Sequence, residues 1–274
     1  MIDRLALPHR EKFDAVFARF QSLGRVLVAY SGGVDSSLLL KIGTLALGEN
    51  CVGVLARLEA LTAEEIADAR AIAAAHGFVL REVEFSESEI ENYAANPPER
   101  CYFCKRELFG RFVEMAREIG ANAVIEGSNA DDAGDWRPGM KAVAELDVVC
   151  PLREAGLTKQ EVRDLARALG LACWDKPSNP CLSSRIAYGV RIDRARLAQV
   201  ADGERFIRGL GFRQVRVRHH GDWANVQVGP DELGRLTPAL RESIVHYLLS
   251  LGFPRVEIDP NGYRMGSLND GIMQ

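Results

Sequence analysis

The stretch that most constrains the fold of this chain is residues 25–37, RVLVAYSGGVDSS. An almost unbroken apolar run, residues 26–30, leads into a glycine pair, and an apolar helical pattern begins directly after it. A run without polar alternation is typical of a strand that is buried on both faces, and such strands belong to parallel sheets covered by helices. The sequence therefore predicts an α/β fold that begins with a strand–turn–helix unit.

The turn in this unit has the chemistry of a phosphate-binding loop. Gly32 and Gly33 allow a tight turn with inward-pointing N–H groups, and the following helix adds the positive end of its dipole. Asp35 would repel a bare phosphate, so we expect it to act through Mg²⁺ or through the loop backbone. The predicted phosphate-binding residues are Ser31, Gly32, Gly33, Val34, Asp35, Ser36 and Ser37. An ordinary glycine-rich turn is the alternative.

Strand and helix patterns alternate after this loop. Further strands are predicted at residues 51–55, 79–85 and 123–125, and the first of them follows a helix at 36–47. This order predicts a doubly wound parallel sheet, whose ligands sit at the carboxyl ends of the strands. The residues expected there are Leu55, Ala56 and Arg57 after the second strand, and Gly127, Ser128 and Asn129 after the fourth. A solvated turn is the alternative for residues 127–129.

Two capping boxes mark the starts of further helices: Thr62 with Glu65, and Thr158 with Glu161. Residues 135–140 are predicted to form a loop. The proline-broken stretch 173–185 is also predicted to be a loop. A long loop in a compact enzyme is usually functional.

The pattern changes near residue 192. A helix (193–209), a hairpin (214–219 and 222–228), a helix (237–250) and a strand (255–258) predict a small α+β domain. We therefore expect two domains, residues 1–190 and 191–274. Arg216 and Arg218 share one face of the hairpin, where two guanidinium groups could bind a phosphate or a carboxylate. A solvated edge strand is the alternative.

Composition narrows the class of protein. The net charge of −4 argues against a general nucleic-acid binder. No stretch has the length of a membrane span, and the charged N-terminus lacks the apolar core of a signal peptide. We therefore expect a cytoplasmic protein without membrane or nucleic-acid partners, whose cysteines are thiols or metal ligands rather than disulfides.

The six cysteines fall into two groups. Cys51, Cys150 and Cys173 have apolar contexts and are predicted to be small core residues. Cys101, Cys104 and Cys181 lie in polar or proline-broken contexts. The CxxC pair alone fits a redox pair, half a zinc site or part of a cluster, and three thiolates suit an iron–sulfur cluster with one iron free of protein ligands. Alternatively, the CxxC marks only a helix start and Cys181 is unrelated.

The loop SGGVDS is neither a Walker A motif nor GxGxxG. It resembles the PP-loop of the ATP pyrophosphatases, which have the adenine nucleotide alpha hydrolase-like fold and grip the pyrophosphate of ATP. Across almost the whole chain, in order, further segments are similar to the LarE family of ATP-dependent sulfur transferases. These segments are PPERCYFCKRELF, EGSNADD, PLREAGLTKQEVR, WDKPSNPCLSSRIAYG, VRVRHHGDWA and GYRMGSLN.

The resemblance implies a reaction in nickel-pincer nucleotide biosynthesis. ATP, with Mg²⁺, adenylylates the carboxylates of pyridinium-3,5-biscarboxylic acid mononucleotide, and sulfur then displaces AMP to leave thiocarboxylates. Some members sacrifice the sulfur of one cysteine, which matches Cys181. Members with three cysteines hold a [4Fe–4S] cluster that carries sulfide, and Cys101, Cys104 and Cys181 give this chain that pattern. The family also suggests a homo-oligomer, and a sulfide donor of unknown identity is a candidate partner.

Within this chemistry the predicted catalytic residues are Asp35, Lys176, Cys181 and Arg185. The cations Lys176 and Arg185 would neutralise charge that develops between two anionic reactants. Arg216 and Arg218 are predicted to hold the phosphate of the substrate.

Three other functions stay open. An iron–sulfur tRNA thiolase would share the loop and the cysteine count, but the acidic balance and the lack of a basic, aromatic-rich RNA module oppose it. An amide-forming ligase of the NAD or GMP synthetase type would leave the three cysteines unexplained. A non-catalytic module that binds ATP or stores metal is the third.

Overall fold

The computed structural model describes residues 7–134, 138–177 and 179–264. The chain divides into two units: the first takes in Met1–Phe85 and Cys101–Asn179, and the second Ser86–Arg100 and Pro180–Gln274. Within the described ranges no helix is both long enough and apolar enough to cross a membrane.

The first unit is built on a four-stranded parallel sheet. Its strands are β1 (Val26–Ala29), β2 (Cys51–Leu58), β3 (Val79–Phe85) and β4 (Ala123–Ile125). They lie in the order β3-β2-β1-β4, and every pair is parallel. The winding direction reverses between β1 and β4, so the carboxyl ends of these two strands meet where such sheets bind ligands. The predicted α/β class is confirmed.

Helices cover both faces of this sheet. The helices up to residue 168 are α1 (Arg10–Leu23), α2 (Val34–Leu47), α3 (Ala63–Ala75), α4 (Glu91–Ala94), α5 (Arg100–Glu118), α6 (Gly139–Glu145), α7 (Pro151–Glu154) and α8 (Lys159–Ala168), of which α4 belongs to the second unit. Val26 and Val28 pack in a core with residues of α1, α2, α3 and α8, whereas Leu27 packs with residues of α5. This two-sided burial explains the unbroken apolar run of β1.

Both predicted capping boxes are present. The Thr62 hydroxyl accepts a hydrogen bond from the Glu65 backbone N–H at 3.2 Å, and the Glu65 carboxylate accepts one from the Thr62 N–H at 2.9 Å. Thr158 and Glu161 repeat this pattern. Each box satisfies donors at a helix N-terminus that have no partner within the helix, so α3 and α8 begin at their predicted positions.

Three predicted boundaries differ from the structure. Strand β2 continues past residue 55 to Leu58 because it keeps pairing with β3 after its apolar run ends. Helix α2 begins at Val34, inside the glycine turn, rather than at residue 36. Gly139 and Met140 open helix α6 although they were predicted as loop, and residues 135–137 of that loop lie outside the described residues.

The second unit contains the predicted hairpin. Its elements are α9 (Arg194–Gly209), β5 (Val215–His219), β6 (Trp223–Val228), α10 (Pro238–Ser250) and β7 (Arg255–Ile258). The strands lie in the order β5-β6-β7, with β5 and β6 antiparallel and β7 parallel to β6. Alternate residues of β5 and β6, among them Val217 and Val226, face a core with Ile244 and Leu248 of α10.

An excursion of the chain completes this unit. The buried Asn96 donates its side-chain N–H groups to the carbonyl oxygens of Ala187 and Val190 at 2.8 and 2.9 Å. These bonds tie Ser86–Arg100 to the segment after Pro180, so the units change at Arg100 and Asn179. The sequence-based division into domains of residues 1–190 and 191–274 stays a prediction.

Candidate active site

The turn after β1 is shaped so that only glycine fits at its centre. Gly32 has a φ of +71°, and a Cβ atom added there would lie 2.6 Å from the Cβ of Ala69. Real Cβ atoms do not approach so closely, and the left-handed backbone disfavours any side chain. The glycine therefore lets the loop pack closely against Ala69 of α3.

Serine hydroxyls hold the loop in this shape. The Ser36 hydroxyl accepts a hydrogen bond from the Ser31 backbone N–H at 3.2 Å and donates one to the Gly33 carbonyl at 3.2 Å. The Ser31 hydroxyl lies 3.1 Å from that of Ser36 and accepts from the Gly33 N–H at 3.4 Å. These hydrogen bonds connect residues on both sides of the glycine pair and so restrict the shape of the loop.

The loop carboxylate, Asp35, sits between two donors. The Asn129 side-chain amide donates to it at 3.1 Å, and the ammonium group of Lys159 forms an ion pair with it. A Cβ added to Gly127 would lie 3.2 Å from the Cβ of Asp35. The structure thus brings the turn after β4, residues 127–129, against the phosphate loop.

The two acids that follow this turn serve the backbone. The carboxylate of Asp132 accepts from the N–H of Asn129 at 2.9 Å, and that of Asp131 accepts from the N–H of Lys159 at 2.8 Å. Together they fix Asn129 and the first residue of α8, which are the two partners of Asp35. Their contribution to the site is positional.

A buried carboxylate, Glu126, lies at the end of β4. Burial would raise its pKa, but the ammonium group of Lys105 and hydrogen bonds from Ser128 and Cys150 lower it below the ordinary value. Glu126 is therefore ionised at neutral pH and places a fixed negative charge beside α5. The burial of Cys150 itself, together with the nearby negative charge of Glu126, raises the pKa of the Cys150 thiol to about 12.

Two predicted residues have partners on the surface of the first unit. Lys176 pairs with Asp68 at 3.2 Å, and Arg57 pairs with Glu84 and lies 3.7 Å from Glu82. Arg57 and the buried Leu55 lie inside β2 rather than after it, since that strand is longer than predicted.

Burial separates the cysteines as the sequence predicted. Cys51, Cys150 and Cys173 are buried, whereas Cys101 is exposed and Cys104 and Cys181 are half-buried. Among the described residues, no three His, Cys, Asp or Glu side chains come together as a metal-binding group. The accessible thiols are thus Cys101, Cys104 and Cys181.

In the second unit, Arg185 is fully buried and paired with a fully buried carboxylate. Its Nε atom lies 2.9 Å from Glu204 of α9, and Glu204 also accepts from Arg208 at 2.6 Å. A buried guanidinium group with a carboxylate partner is not available to an incoming ligand.

Arg216 and Arg218 are buried too, which excludes the solvated edge strand. Arg218 donates to the Gln227 side chain at 3.2 Å and to the Ser184 carbonyl at 2.9 Å, and the Arg216 guanidinium lies over the ring of Tyr263. Burial and the charge of Arg185 lower the pKa of both, that of Arg218 to about 10. Arg185, Arg216 and Arg218 thus form a group of buried cations, and the carboxylate of Glu204 opposes their repulsion.

Comparison with known proteins identifies the family. The chain is 41% identical to an uncharacterised protein of Synechocystis, over 91% of this chain and 94% of the relative. It is 35% identical to the pyridinium-3,5-bisthiocarboxylic acid mononucleotide synthase of Lactiplantibacillus plantarum, over 95% of each chain. The chain belongs to the LarE family. It is therefore an enzyme, a sulfurtransferase. No family model matches it.

A more distant similarity supports the fold of the first unit. The tRNA-specific 2-thiouridylase MnmA of a Bradyrhizobium strain is 33% identical over 56% of this chain and 48% of its own length. The chain thus covers about half the length of this relative.

Sequence reasoning missed three charged residues of this LarE chain: Lys159, Glu126 and Glu204. Lys159 stands in the segment TKQEVR, at the start of α8, where a charged side chain usually faces solvent. The capping box signalled the helix but not that its first residue pairs with Asp35. Glu126 and Glu204 are buried by long-range packing, for which the sequence has no local signal.

Proposed function

We propose that this chain is an ATP-dependent sulfur transferase acting on pyridinium-3,5-biscarboxylic acid mononucleotide, whose carboxylates it converts into thiocarboxylates. The observation that carries the proposal is the identity with the L. plantarum synthase over 95% of the chain. The product would be the bisthiocarboxylic nucleotide of the nickel-pincer pathway.

The phosphate loop supports ATP as the activating reagent. A substrate carboxylate oxygen attacks the α-phosphorus of ATP, pyrophosphate leaves, and an acyl adenylate forms. The glycine turn and the N-terminus of α2 would bind the departing phosphates, with Asp35 acting through Mg²⁺. Activation is needed because a free carboxylate would have to expel oxide, whereas the adenylate expels AMP.

Sulfur transfer is the second half of the proposal. A sulfur nucleophile attacks the acyl carbon, the C–O bond to AMP breaks with its electron pair, and a thiocarboxylate remains. The accessible thiols support Cys101, Cys104 and Cys181 as ligands of a [4Fe–4S] cluster. When bound by three thiolates, such a cluster supplies an iron that can carry sulfide. In the other route, Cys181 itself gives up its sulfur and becomes dehydroalanine.

The substrate's own phosphate is assigned to Arg216 and Arg218, because both are buried cations on one strand face. Arg216→Ala should raise the KM for the nucleotide substrate about tenfold or more while changing the KM for ATP little, since a charge-assisted contact is lost. Equal effects on the two constants would refute this role.

The decisive experiment incubates anaerobically purified protein with the nucleotide, MgATP and sulfide. We expect one AMP and one pyrophosphate for each carboxylate converted, with the thiocarboxylate identified by mass. About four irons per chain, lost in Cys101→Ala, would support the cluster. A colourless protein in which Cys181 loses the mass of H₂S would support the sacrificial route. Pyrophosphate release that depends on tRNA, not on the nucleotide, would overturn the proposal in favour of a tRNA thiolase.

A further inference from the structure

We propose that Arg185 and Glu204 are a positioning pair that fixes the backbone on both sides of Cys181 and so holds its sulfur for the transfer step. This inference rests on the proposed function, since it takes Cys181 as a residue that handles sulfur. It gives Arg185 a role different from the charge neutralisation that the sequence suggested.

The guanidinium group of Arg185 bonds to the peptide units that flank Cys181. Its Nη1 atom donates to the carbonyl of Pro180 and, at 3.1 Å, to the carbonyl of Cys181 itself. The Cys181 carbonyl also accepts from the N–H of Ser184 at 2.9 Å, which closes a short 3₁₀ turn. Holding both flanking carbonyls fixes the Cα atom of Cys181 and the direction in which its side chain leaves the backbone.

Glu204 determines where the guanidinium group can lie. It accepts from Nε of Arg185 at 2.9 Å and from Nη2 at 3.3 Å, and it also accepts from the backbone N–H of Val217 at 3.2 Å. The carboxylate therefore links α9, strand β5 and the Cys181 turn. Hydrogen bonds between two charged groups are stronger than neutral ones. The pair therefore connects the Cys181 turn firmly to α9 and β5.

Burial excludes direct chemistry for this pair. The side chains of Arg185 and Glu204 are 0% and 1% exposed, so no substrate reaches either group. Arg185 therefore acts through the backbone of Cys181, whereas the cysteine stays half-buried and accessible.

The turn has anchors besides this pair, so weakening the pair need not unfold it. The Ser183 hydroxyl bonds to the hydroxyl of Tyr93, and the Ser184 carbonyl accepts from Arg218 at 2.9 Å. A variant of Glu204 should consequently keep the turn in place but let the peptide units around Cys181 move.

The test uses two variants. Glu204→Gln keeps the size of the side chain and removes its charge, and Arg185→Lys keeps the charge and removes the planar guanidinium group with its several N–H donors. Glu91→Gln is the matched control, because Glu91 forms an exposed ion pair with Arg191 at 2.7 Å in the same unit. Two quantities are measured: the ratio of thiocarboxylate to pyrophosphate formed, and the alkylation rate of each thiol by peptide mass mapping.

For both variants we expect the thiocarboxylate-to-pyrophosphate ratio to fall about tenfold or more, as for the loss of a charge-assisted bond, with the KM for ATP unchanged. The ratio falls because water hydrolyses the acyl adenylate that sulfur does not reach in time, which returns the carboxylate and AMP after pyrophosphate has left. Alkylation of Cys181 should accelerate severalfold, whereas Cys101 and the Glu91→Gln control stay at the wild-type rate. A merely structural role would lower both products together and leave their ratio intact, and that result would overturn the proposal. So would an unchanged Cys181 rate.

Two further readouts separate the possible failures. If wild-type protein releases no pyrophosphate with the nucleotide, the proposed function fails, while the alkylation rates still test the positioning pair. If neither variant folds, hydrogen exchange of the wild-type chain decides, because the Ser184 N–H is bonded to the Cys181 carbonyl. Exchange of that amide at the rate of an unstructured peptide would contradict a fixed turn.

Discussion

At the scale of single residues, the environment of a side chain decides its use more than its chemical type does. Cys150 lies buried against Glu126 with its pKa raised to about 12, so it is an inert thiol, whereas Cys101 is exposed. Arg185 is committed to Glu204, whereas Arg216 has neighbouring cations and an aromatic ring. Residues of one type therefore have different partners and different burial in different parts of the chain.

Gly32 is the residue where the loop tolerates no side chain. Gly32→Ala should lower the free energy of unfolding by about 2 kcal/mol or more, since it adds a clash with Ala69 to the cost of a left-handed backbone. ATP affinity, measured by calorimetry, should fall at least about tenfold. Gly48→Ala is the control, because Gly48 has a φ of +59° with open space around it and should cost only about 1 kcal/mol. Equal effects of the two changes would contradict the packing argument.

Lys159 is expected to support ATP binding through Asp35. Removing its charge in Lys159→Met leaves the Asp35 carboxylate facing the phosphates, so ATP affinity should fall about tenfold. Lys12→Met is the control: it breaks the ion pair of Lys12 with Glu161, which lies on α8 as Lys159 does, and it should leave ATP affinity unchanged. A double variant with Asp35→Asn should lose less than the sum of the single losses. Strict additivity would show that Lys159 does not act through Asp35.

At the scale of elements, one buried side chain makes several of the hydrogen bonds that join the segment Ser86–Arg100 to the rest of the second unit. Asn96 has a φ of +57°, is fully buried, and bonds to the carbonyls of Ile186, Ala187 and Val190 while accepting from Arg100. This segment leads directly into the CxxC of α5.

Asn96→Ala should lower the free energy of unfolding by about 3 kcal/mol, because it leaves buried carbonyls and a guanidinium group without their partner. Asn122→Ala provides the comparison: Asn122 is exposed, makes one such bond to the Leu23 carbonyl at 2.8 Å, and should cost about 1 kcal/mol. Chemical denaturation measures both. A loss at Asn96 no larger than that at Asn122 would show that the attachment lies elsewhere.

At the scale of the whole molecule, stability should fall on mild acidification because of His219. Burial, with a smaller effect from Arg196, lowers its pKa from 6.5 to about 4. The unfolded chain therefore binds a proton that the folded chain does not between these values. The stability present above pH 6.5 should decrease as the pH falls and level off near pH 4, by about 3 kcal/mol in all.

Thermal unfolding measured between pH 4 and 7 tests this expectation. His219→Gln should reduce the loss of stability between pH 7 and pH 4, since a neutral amide cannot titrate. His246→Gln, at an exposed position on α10, should leave it unchanged. The same loss of stability in His219→Gln as in the wild-type chain would assign the pH dependence to other groups.

Local sequence patterns determined much of the architecture. The apolar run of β1, the glycine pair and the capping boxes at Thr62 and Thr158 each act within a few residues, so their structures follow from local sterics and hydrogen bonding. The sorting of the cysteines followed from their local contexts, since an apolar neighbourhood in the chain leads into the core. The alternation of β5 and β6 gave the hairpin for the same reason.

Only the tertiary structure decided which charged and polar groups meet. Lys159 pairs with Asp35, Glu204 with Arg185, and Asn96 with Ala187, and in each case the partners are far apart along the chain or on different elements. Such contacts depend on strand order and helix packing, which no local pattern encodes. The sequence by itself thus determined the elements and the phosphate loop, whereas long-range packing decided the partners that shape the site, because burial and pairing are properties of the folded chain as a whole.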